Sequence, residues 1–479
     1  MTFEMPDFSL ALPEIWVMFM ACVVLVVDLF ARGRESAPAF YLTQATLLIA
    51  AWLALDTQWG IEAVTFNGTY VADSLAAVLK VTVCLLAFVS FAYGRDYLRQ
   101  RDLLRGEFFL IGLISVLGML VMASAHNMLS LYLGLELLSL SLYAMVAFDR
   151  DSRSGSEAAM KYFVLGALSS GMLLYGMSMI YGGSASLDFA KIAQVAANGN
   201  GGLLLGFGIA FSIVGVAFKF GAVPFHMWIP DVYEGAPTAT TLFVSTAPKV
   251  AAVALFVRLL VDGLGALAPE WHVMAAILAV GSLAVGNLFA LVQTNIKRLL
   301  GYSTISHIGF LFLGFVAAGP DGYTAALFYA ITYGIMAAGA FGMVILLSRR
   351  GFEADRIEDM KGLNERHSGF AFVMLVLMFS MTGIPGTVGF YAKWLVLKAV
   401  IDAGMVWLAV VAVIFAVIGA FYYLRVLKMV YFDRLEEDAV PLQAPAGMRY
   451  ILAANGALIV ILGLFPDSLI AVCRAAFGG

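Results

Sequence analysis

Three charged side chains stand in the interior of long apolar segments, where a charge is costly. Glu136 lies within Leu129–Leu142, Lys219 lies five residues before Pro224, and Lys249 lies in another apolar run. A charge at the bilayer centre costs about 2.5–3.5 kcal/mol, so such groups usually face the interior of a helix bundle and have a function. A buried lysine gives up its proton readily and a nearby carboxylate restores it. These residue types predict a proton path, and the alternative is a set of buried ion pairs that fix helix packing.

Two of the apolar segments combine a helix breaker with a lysine. They are 218–228, which carries Lys219 and Pro224, and 382–394, which carries Pro385 and Lys393. Proline removes a backbone donor, and irregular backbone at membrane depth is tolerated only against protein or a wet cavity. Interrupted helices at matching places in two halves indicate a transporter core built of inverted repeats. The lysine precedes one proline and follows the other, so the repeat is visible as architecture and not as alignable sequence.

Three further residues could relay protons, and two of them have an explicit structural alternative. His226 is as compatible with a packed, hydrogen-bonded histidine as with a relay near neutral pH. His307 lies among serine and threonine hydroxyls that could hold a water chain, which favours a relay. Lys161 either modulates Lys219 or extends its ammonium to the cytoplasm. The remaining charged residues within spans are interpreted as lipid-facing or surface-reaching anchors, namely Lys80, Arg258 and Lys398.

The composition shows which class of protein contains these residues. Of the 479 residues, 62% are hydrophobic and 13% are charged, whereas soluble domains have about 45–50% apolar and about 25% charged residues. The chain is therefore an integral membrane protein. Apolar runs of about 20 residues predict fourteen membrane-spanning helices. The spans are 10–30, 38–55, 71–93, 107–124, 126–148, 157–181, 202–229, 237–262, 270–293, 299–318, 322–348, 368–402, 405–430 and 450–473.

Basic residues orient these spans. Of the 28 lysines and arginines, nineteen fall in alternate loops, and the loops on the opposite side hold Lys191 and Arg474. The positive-inside rule then predicts that the basic loops are cytoplasmic and that both termini are periplasmic. The segment Leu187–Asn200 is interpreted as a surface excursion.

The predicted fold is all-α, with two inverted five-helix repeats whose seventh and twelfth helices are broken. Residues 1–106 hold helices 1–3, residues 107–262 form the first repeat, residues 263–430 form the second, and residues 431–479 hold a loop and the last helix.

Several classes of site are disfavoured. The three cysteines, Cys22, Cys84 and Cys473, are far apart and form no CxxC motif, so we expect no iron–sulfur cluster, zinc or other metal in this chain. No GxxxxGK[ST] loop occurs, which argues against ATP as the energy source. The net charge of −4 and the absence of a basic stripe argue against nucleic-acid binding.

Together these motifs resemble the antiporter-like subunits of respiratory complex I, NADH:quinone oxidoreductase, and their relatives in multisubunit cation/proton antiporters. Within that superfamily the chain is most similar to the subunit N family, since the related subunit M is expected to have glutamate where this chain has Lys393. The resemblance covers most of the fourteen spans and is densest from about 120 to 420. Its markers are Glu136 in Leu-Gly-Leu-Glu-Leu-Leu-Ser, Lys219 in Phe-Lys-Phe-Gly-Ala-Val-Pro, Pro230–Thr238, Ser303–Gly309 and the interrupted twelfth span.

The resemblance implies roles for four residues. Glu136 and Lys219 would open a proton path, Lys249 would link it centrally, and Lys393 would complete the other half-channel. It also implies that this chain holds no redox centre, because FMN, iron–sulfur clusters and quinone belong to partner subunits. The implied partners are the other membrane subunits of the complex, such as M and K, together with lipids of the bacterial inner membrane.

Three functions follow as hypotheses. The first is a proton-translocating module that couples quinone reduction in its partners to pumping through a Lys/Glu/His relay. The second is a subunit of a cation/proton antiporter driven by an ion gradient, which the charge pattern alone also permits. The third is a membrane scaffold that moves no ions, and the midplane charges argue against it because scaffolding does not require them.

Overall fold

The computed structural model describes residues 5–30, 36–434 and 444–478, and these residues are predominantly helical. A short antiparallel hairpin pairs β1 (Ala63–Thr65) with β2 (Tyr70–Ala72). The helices are α1 (Leu12–Phe30), α2 (Ala37–Gln58), α3 (Ser74–Gln100), α4 (Gly106–Ala123), α5 (Met128–Val146), α6 (Arg153–Ser184), α7 (Phe189–Ala197), α8 (Gly202–Phe220), α9 (Trp228–Gly235), α10 (Thr238–Ser245), α11 (Ala247–Phe256), α12 (Ala268–Leu291), α13 (Ile296–Ala317), α14 (Gly319–Leu347), α15 (Leu363–Arg366), α16 (Ser368–Thr382), α17 (Val388–Asp402), α18 (Val406–Tyr431), α19 (Ala446–Leu464) and α20 (Asp467–Ala475).

Thirteen helical segments of the described chain are long and apolar enough to cross a membrane, and each overlaps one of the predicted spans. The remaining predicted span, 368–402, consists of two shorter helices, α16 and α17. The prediction of an all-helical membrane fold with interrupted seventh and twelfth helices is therefore confirmed. Several helices begin at a side chain that accepts a hydrogen bond from the first turn, which fixes where the helix starts. These N-caps are Asp73, Asn127, Ser152, Asp188 and Asn295.

The eighth span is interrupted as well, next to Pro248, the proline that directly precedes Lys249 in the sequence. Helix α10 ends at Ser245, and Thr246 leaves helical geometry with φ −113° and ψ −93°. Helix α11 then starts with Pro248 in its first turn, a position where the missing N–H costs nothing. A π-helical turn, Val257–Asp262, follows α11. Lys249 therefore lies one turn beyond a helix break.

The core lies where the two predicted repeats meet. Helices α10, α11, α13 and α14 are almost fully buried, whereas α6, α18 and α19 bury about a third of their residues. The exposed faces of those outer helices remain apolar, as in Leu168 on α6 and Val417 on α18. Such a surface is stable against lipid or another membrane chain and not against water.

Two predicted surface anchors are buried ion pairs instead. Lys80 has no exposed surface, and its Nζ lies 2.5 Å from Oε1 of Glu14. Arg258 is 5% exposed, and its guanidinium lies 2.8 Å from the carboxylate of Asp73 and 3.2 Å from that of Asp262. The interpretation as lipid-facing or surface-reaching anchors was wrong for both, because Glu14 and Asp73, which are distant in sequence, pair with them inside the bundle.

The other surface assignments fit better. Lys398 is exposed and pairs with exposed Asp402 one turn away on α17. The excursion predicted at Leu187–Asn200 contains the short amphipathic helix α7. Arg32 and Arg34, counted among the basic loop residues, lie outside the described residues.

Candidate functional site

Glu136 and Lys219 meet the same face of α5. The Lys219 ammonium is buried and donates a hydrogen bond to Ser139 Oγ at 2.6 Å. Ser139 follows Glu136 by three residues, so the two side chains lie on one helix face. Glu136 is half-buried and accepts a hydrogen bond from Ser170 Oγ of α6 at 2.5 Å. In the described part of the chain no ion pair within 4.0 Å joins Glu136 to Lys219, so a hydroxyl stands beside each charge.

Lys249 occupies the break of the seventh span. Its Nζ donates to the carbonyl oxygen of Phe220 at 2.7 Å and to that of Lys219 at 3.4 Å. The same ammonium lies 4.6 Å from the ring centroid of Trp228, which stacks on Tyr162 at 4.4 Å. The carbonyl end of a half-helix and an aromatic face both stabilise a cation. Lys249 thus connects directly to the backbone of Lys219 without contacting its side chain.

Lys393 occupies the corresponding place in the twelfth span. Its Nζ donates to the carbonyl oxygens of Thr382 at 2.8 Å and Met381 at 3.1 Å, which end α16. The ammonium also lies 5.0 Å from the ring centroid of Phe310. The breaks of the seventh and twelfth spans therefore each hold one ammonium beside two carbonyls and an aromatic ring.

His307 has both ring nitrogens hydrogen-bonded to tyrosines. Nδ1 lies 2.7 Å from Tyr329 Oη, and Nε2 lies 3.0 Å from Tyr423 Oη. The Tyr423 hydroxyl lies 2.5 Å from Ser303 Oγ, which extends the chain by one group. Each member can donate and accept, so the four groups form a continuous hydrogen-bonded chain through the buried part of the second repeat.

Lys161 lies at the end of the bundle that carries the basic loops. Its ammonium pairs with Asp231 at 2.8 Å and Glu157 at 2.9 Å, and its side chain is 43% exposed. Arg298 reaches the same carboxylate of Asp231 at 2.7 Å and also binds Glu234. Partial burial would raise the pKa of Asp231, but hydrogen bonds from Lys161 and Arg298 outweigh it and lower that pKa. This cluster joins α6, α9 and α13, and Lys161 makes no hydrogen bond to Lys219.

The remaining predicted residues lie in the breaks themselves. His226 is half-buried between α8 and α9, and its Nδ1 has no hydrogen-bond partner among the described residues. Pro224 and Pro385 are both exposed on the outside of the chain within their breaks. The structure therefore brings the lysines to the helix breaks and leaves Nδ1 of His226, beside the first break, without a partner among the described residues.

Sequence reasoning missed a half-buried carboxylate at the basic end. Glu353 accepts hydrogen bonds from the hydroxyls of Tyr97 and Thr238 and forms an ion pair with Arg101 at 2.5 Å. Burial would raise the pKa of Glu353, but the charges of Lys297 and Arg101 and the two hydroxyl donors lower it. Because Thr238 is the first residue of α10, Glu353 attaches the loop after α14 to the start of the broken eighth span.

It also missed Ser139 and the tyrosines that bind His307. Ser139 could have been found from its three-residue spacing to Glu136, whereas Ser303 is one of the hydroxyls already predicted to lie near His307. Tyr329 and Tyr423 lie in apolar helices and carry no local signal, because their proximity to His307 comes from packing of α13, α14 and α18.

The model of the family described as NADH:quinone oxidoreductase/Mrp antiporter matches residues 125–419. The chain is 65% identical over 477 residues to NADH-quinone oxidoreductase subunit N of Alkalilimnicola ehrlichii, covering 99% of this chain and 98% of that protein. It is 61% identical over 483 residues to subunit N of Halorhodospira halophila, with 100% of both chains covered.

Solved structures show the same fold. A chain of respiratory complex I from Thermus thermophilus with bound aureothin superposes with a TM-score of 0.83 at 30% identity, covering 97% of this chain and 99% of that one. A chain of the Mrp complex from a Dietzia species superposes with a TM-score of 0.82 at 19% identity, covering 98% and 96%, which shows likeness of fold alone.

Proposed function

The chain belongs to the NADH-quinone oxidoreductase subunit N family, and from that membership we propose that it translocates protons while partner subunits reduce quinone. The membership makes it a multi-pass inner-membrane subunit of an enzyme complex. Pumping is the function that its buried charges support best. The main observation in support of pumping is that Lys219, Lys249 and Lys393 all lie at or beside interrupted helices inside the membrane-spanning bundle.

The path has one half in each repeat. In the first, Glu136 and Lys219 exchange a proton through the hydroxyls beside them, and Lys249 receives it at the helix break. In the second, the hydrogen-bonded chain through His307 leads toward Lys393. Reduction of quinone in partner subunits changes the charge of the Lys–Glu pair at one end of the path, or the distance between its two side chains. Each proton then moves to the next group of the path. Lys161 and His226 lie beside this path and are not hydrogen-bonded to its lysines in the described chain.

Partner subunits supply what the chain lacks. FMN, iron–sulfur clusters and the quinone site are assigned to other subunits, and the neighbours in the membrane are antiporter-like subunit M and small subunits such as K. Glu136 supports a membrane neighbour, since it is half-buried beside exposed Leu133 and Leu140 on α5. A carboxylate at that depth needs a covering surface. The distribution of basic loops supports a periplasmic location for both termini.

The proposal is tested with Lys219→Ala in the assembled complex. We expect quinone reductase activity coupled to pumping to fall at least about tenfold, because the variant loses the ammonium bound by Ser139. Assembly should be unchanged. Lys398→Ala is the matched control, since that lysine is exposed and pairs only with an exposed carboxylate. Turnover and proton uptake in vesicles equal to the wild type would refute a role for Lys219.

A second experiment separates the pump from an antiporter. The tagged chain is purified in mild detergent and assayed for FMN, iron–sulfur signal and NADH:quinone reductase activity. Co-purification of all three supports the redox-driven pump. If the chain arrives only with other membrane chains that exchange cations for protons in vesicles, it is an antiporter subunit.

A further inference from the structure

The seventh and twelfth spans are interrupted by the same backbone turn, at the ends of α8 and α16. At the end of α8, Gly221 adopts φ +82°, and its amide donates to the carbonyl of Phe218 at 3.0 Å. The next amide, that of Ala222, donates to the carbonyl of Ala217 at 2.8 Å. This pair of bonds is the Schellman motif, in which a left-handed residue, usually glycine, closes a helix.

The end of α16 repeats this pattern. Gly383 adopts φ +91°, its amide donates to the carbonyl of Ser380 at 3.0 Å, and the amide of Ile384 donates to that of Phe379 at 3.0 Å. The two turns share no sequence except the glycine at the same position. Their equivalence is therefore a property of the backbone.

Such a turn satisfies two of the last carbonyls of a helix and leaves the next two without a partner. At the first break these are the carbonyls of Lys219 and Phe220, and both accept from Lys249 Nζ. At the second break they are the carbonyls of Met381 and Thr382, and both accept from Lys393 Nζ. Each free pair is thus occupied by one ammonium.

Lys249 and Lys393 are therefore counterparts, although sequence order would match Lys219 with Lys393. Lys393 comes from the continuation of its own broken helix, ten residues after Gly383, whereas Lys249 comes from the neighbouring span. Lys219 differs from both, because its ammonium binds a side-chain hydroxyl and its carbonyl belongs to the acceptor pair.

We propose that Lys249 and Lys393 are two equivalent latches, each of which holds its helix break closed while its ammonium is charged. Loss of the proton weakens both bonds to the carbonyls and removes the attraction to the negative end of the half-helix. The terminal turn then opens. The proton goes to the next group of the path, and no bond other than N–H and the hydrogen bonds changes.

The surroundings of each ammonium allow this switch. Lys249 faces the ring of Trp228 and the ammonium of Lys219, and no carboxylate within 4.0 Å neutralises it in the described chain. Lys393 faces the ring of Phe310, and His307 is a titratable group that interacts with its charge. In both sites, half-helix carbonyls replace the carboxylate partner that would otherwise hold the proton permanently.

The role in transport rests on the proposed function: opening of a turn exposes its carbonyls and allows water to reach the lysine. Each half-path would then open only while its lysine is neutral. Each break would stay closed to water while its own lysine carries the proton.

The test is amide hydrogen exchange of the assembled complex at one pH, followed for the segments 221–229 and 383–389. In Lys249→Met we expect exchange in 221–229 to rise at least about tenfold, because two hydrogen bonds from a charged donor are lost. Segment 383–389 should not change. Lys393→Met should give the reverse pattern, and Lys398→Met, an exposed lysine on α17, should change neither segment.

Glutamine separates charge from hydrogen bonding, since its amide donates without charge. We expect amide exchange at the corresponding break in Lys249→Gln and Lys393→Gln to be faster than in the wild type but slower than in the methionine variants. If a methionine variant does not assemble, the glutamine variant replaces it in the test. Protection equal to the wild type in the methionine variants would overturn the latch. Full protection in the glutamine variants would overturn its dependence on the proton.

Activity measured on the same variants keeps the two proposals apart. Loss of pumping without a change in exchange supports the proton path and refutes the latch. Faster exchange with wild-type pumping supports the latch and refutes the role of that lysine in the path.

Discussion

Replacing Glu14 with methionine should destabilise this protein more than replacing Glu14 and Lys80 together. Lys80 has no exposed surface, its Nζ lies 2.5 Å from Glu14 Oε1, and it also donates to Tyr70 Oη at 2.9 Å. The Tyr70 hydroxyl in turn contacts Glu14 Oε2 at 3.0 Å and receives a hydrogen bond from Gln58. This cluster joins α1, α2 and α3 beside β2, so loss of one charge leaves the other without a counter-ion inside the bundle.

The size of the effect follows from the geometry. At 2.5 Å and an effective dielectric constant of about 20, the attraction between the two charges is about 7 kcal/mol. Desolvation of both groups offsets most of it, so the pair as a whole contributes little net stability. Removing one partner keeps the desolvation penalty and loses the attraction, which costs about 3–5 kcal/mol. Removing both partners loses both terms, and we expect a cost within about 1 kcal/mol of zero.

The assay is a double-mutant cycle on thermal unfolding of the detergent-solubilised chain. Glu14→Met and Lys80→Met should each lower the unfolding midpoint by several degrees, and the double variant should recover most of that loss. Lys398→Met is the control, because its ion pair is exposed and should contribute about 0–1 kcal/mol. Wild-type midpoints in both single variants, or a double variant less stable than either, would refute the reasoning.

Two other substitutions test single groups. Glu353→Gln should lower the free energy of unfolding near neutral pH by about 1.5–3 kcal/mol, because charged hydrogen bonds are lost. The unfolding midpoint should fall accordingly. The folded-state pKa of Glu353 lies below its usual value of 4.5, so this contribution is present above pH 4.5 and is lost as the pH falls through the folded pKa. Midpoints measured from neutral to acidic pH should therefore converge for the two proteins, and a difference independent of pH would contradict the assignment. Tyr423→Phe should lower the free energy of unfolding by about 1–3 kcal/mol, because Nε2 of His307 loses its partner. It should also slow proton uptake in vesicles. Tyr431→Phe, at the end of α18, is the control and should have neither effect.

Local sequence determined most of the architecture of this protein. The spans followed from apolar runs such as 299–318, because a segment of that length must satisfy its backbone internally in lipid. The seventh and twelfth interruptions followed from Pro224 and Pro385, because proline cannot continue the hydrogen-bond pattern of a helix. The charges at Glu136, Lys219 and Lys249 were conspicuous for the same reason, that lipid tolerates few of them.

Only the tertiary structure decided which groups meet. Lys80 finds Glu14 from a distant helix, and the ammonium at the first break belongs to Lys249 instead of Lys219. Periodicity describes what one helix is made of, but the rotation of each helix and its neighbours are set by packing along its whole length. The sequence around a residue does not indicate a partner that helix packing brings from elsewhere. These partners determine whether a lysine in the membrane is an anchor, half of a structural ion pair or part of a proton path.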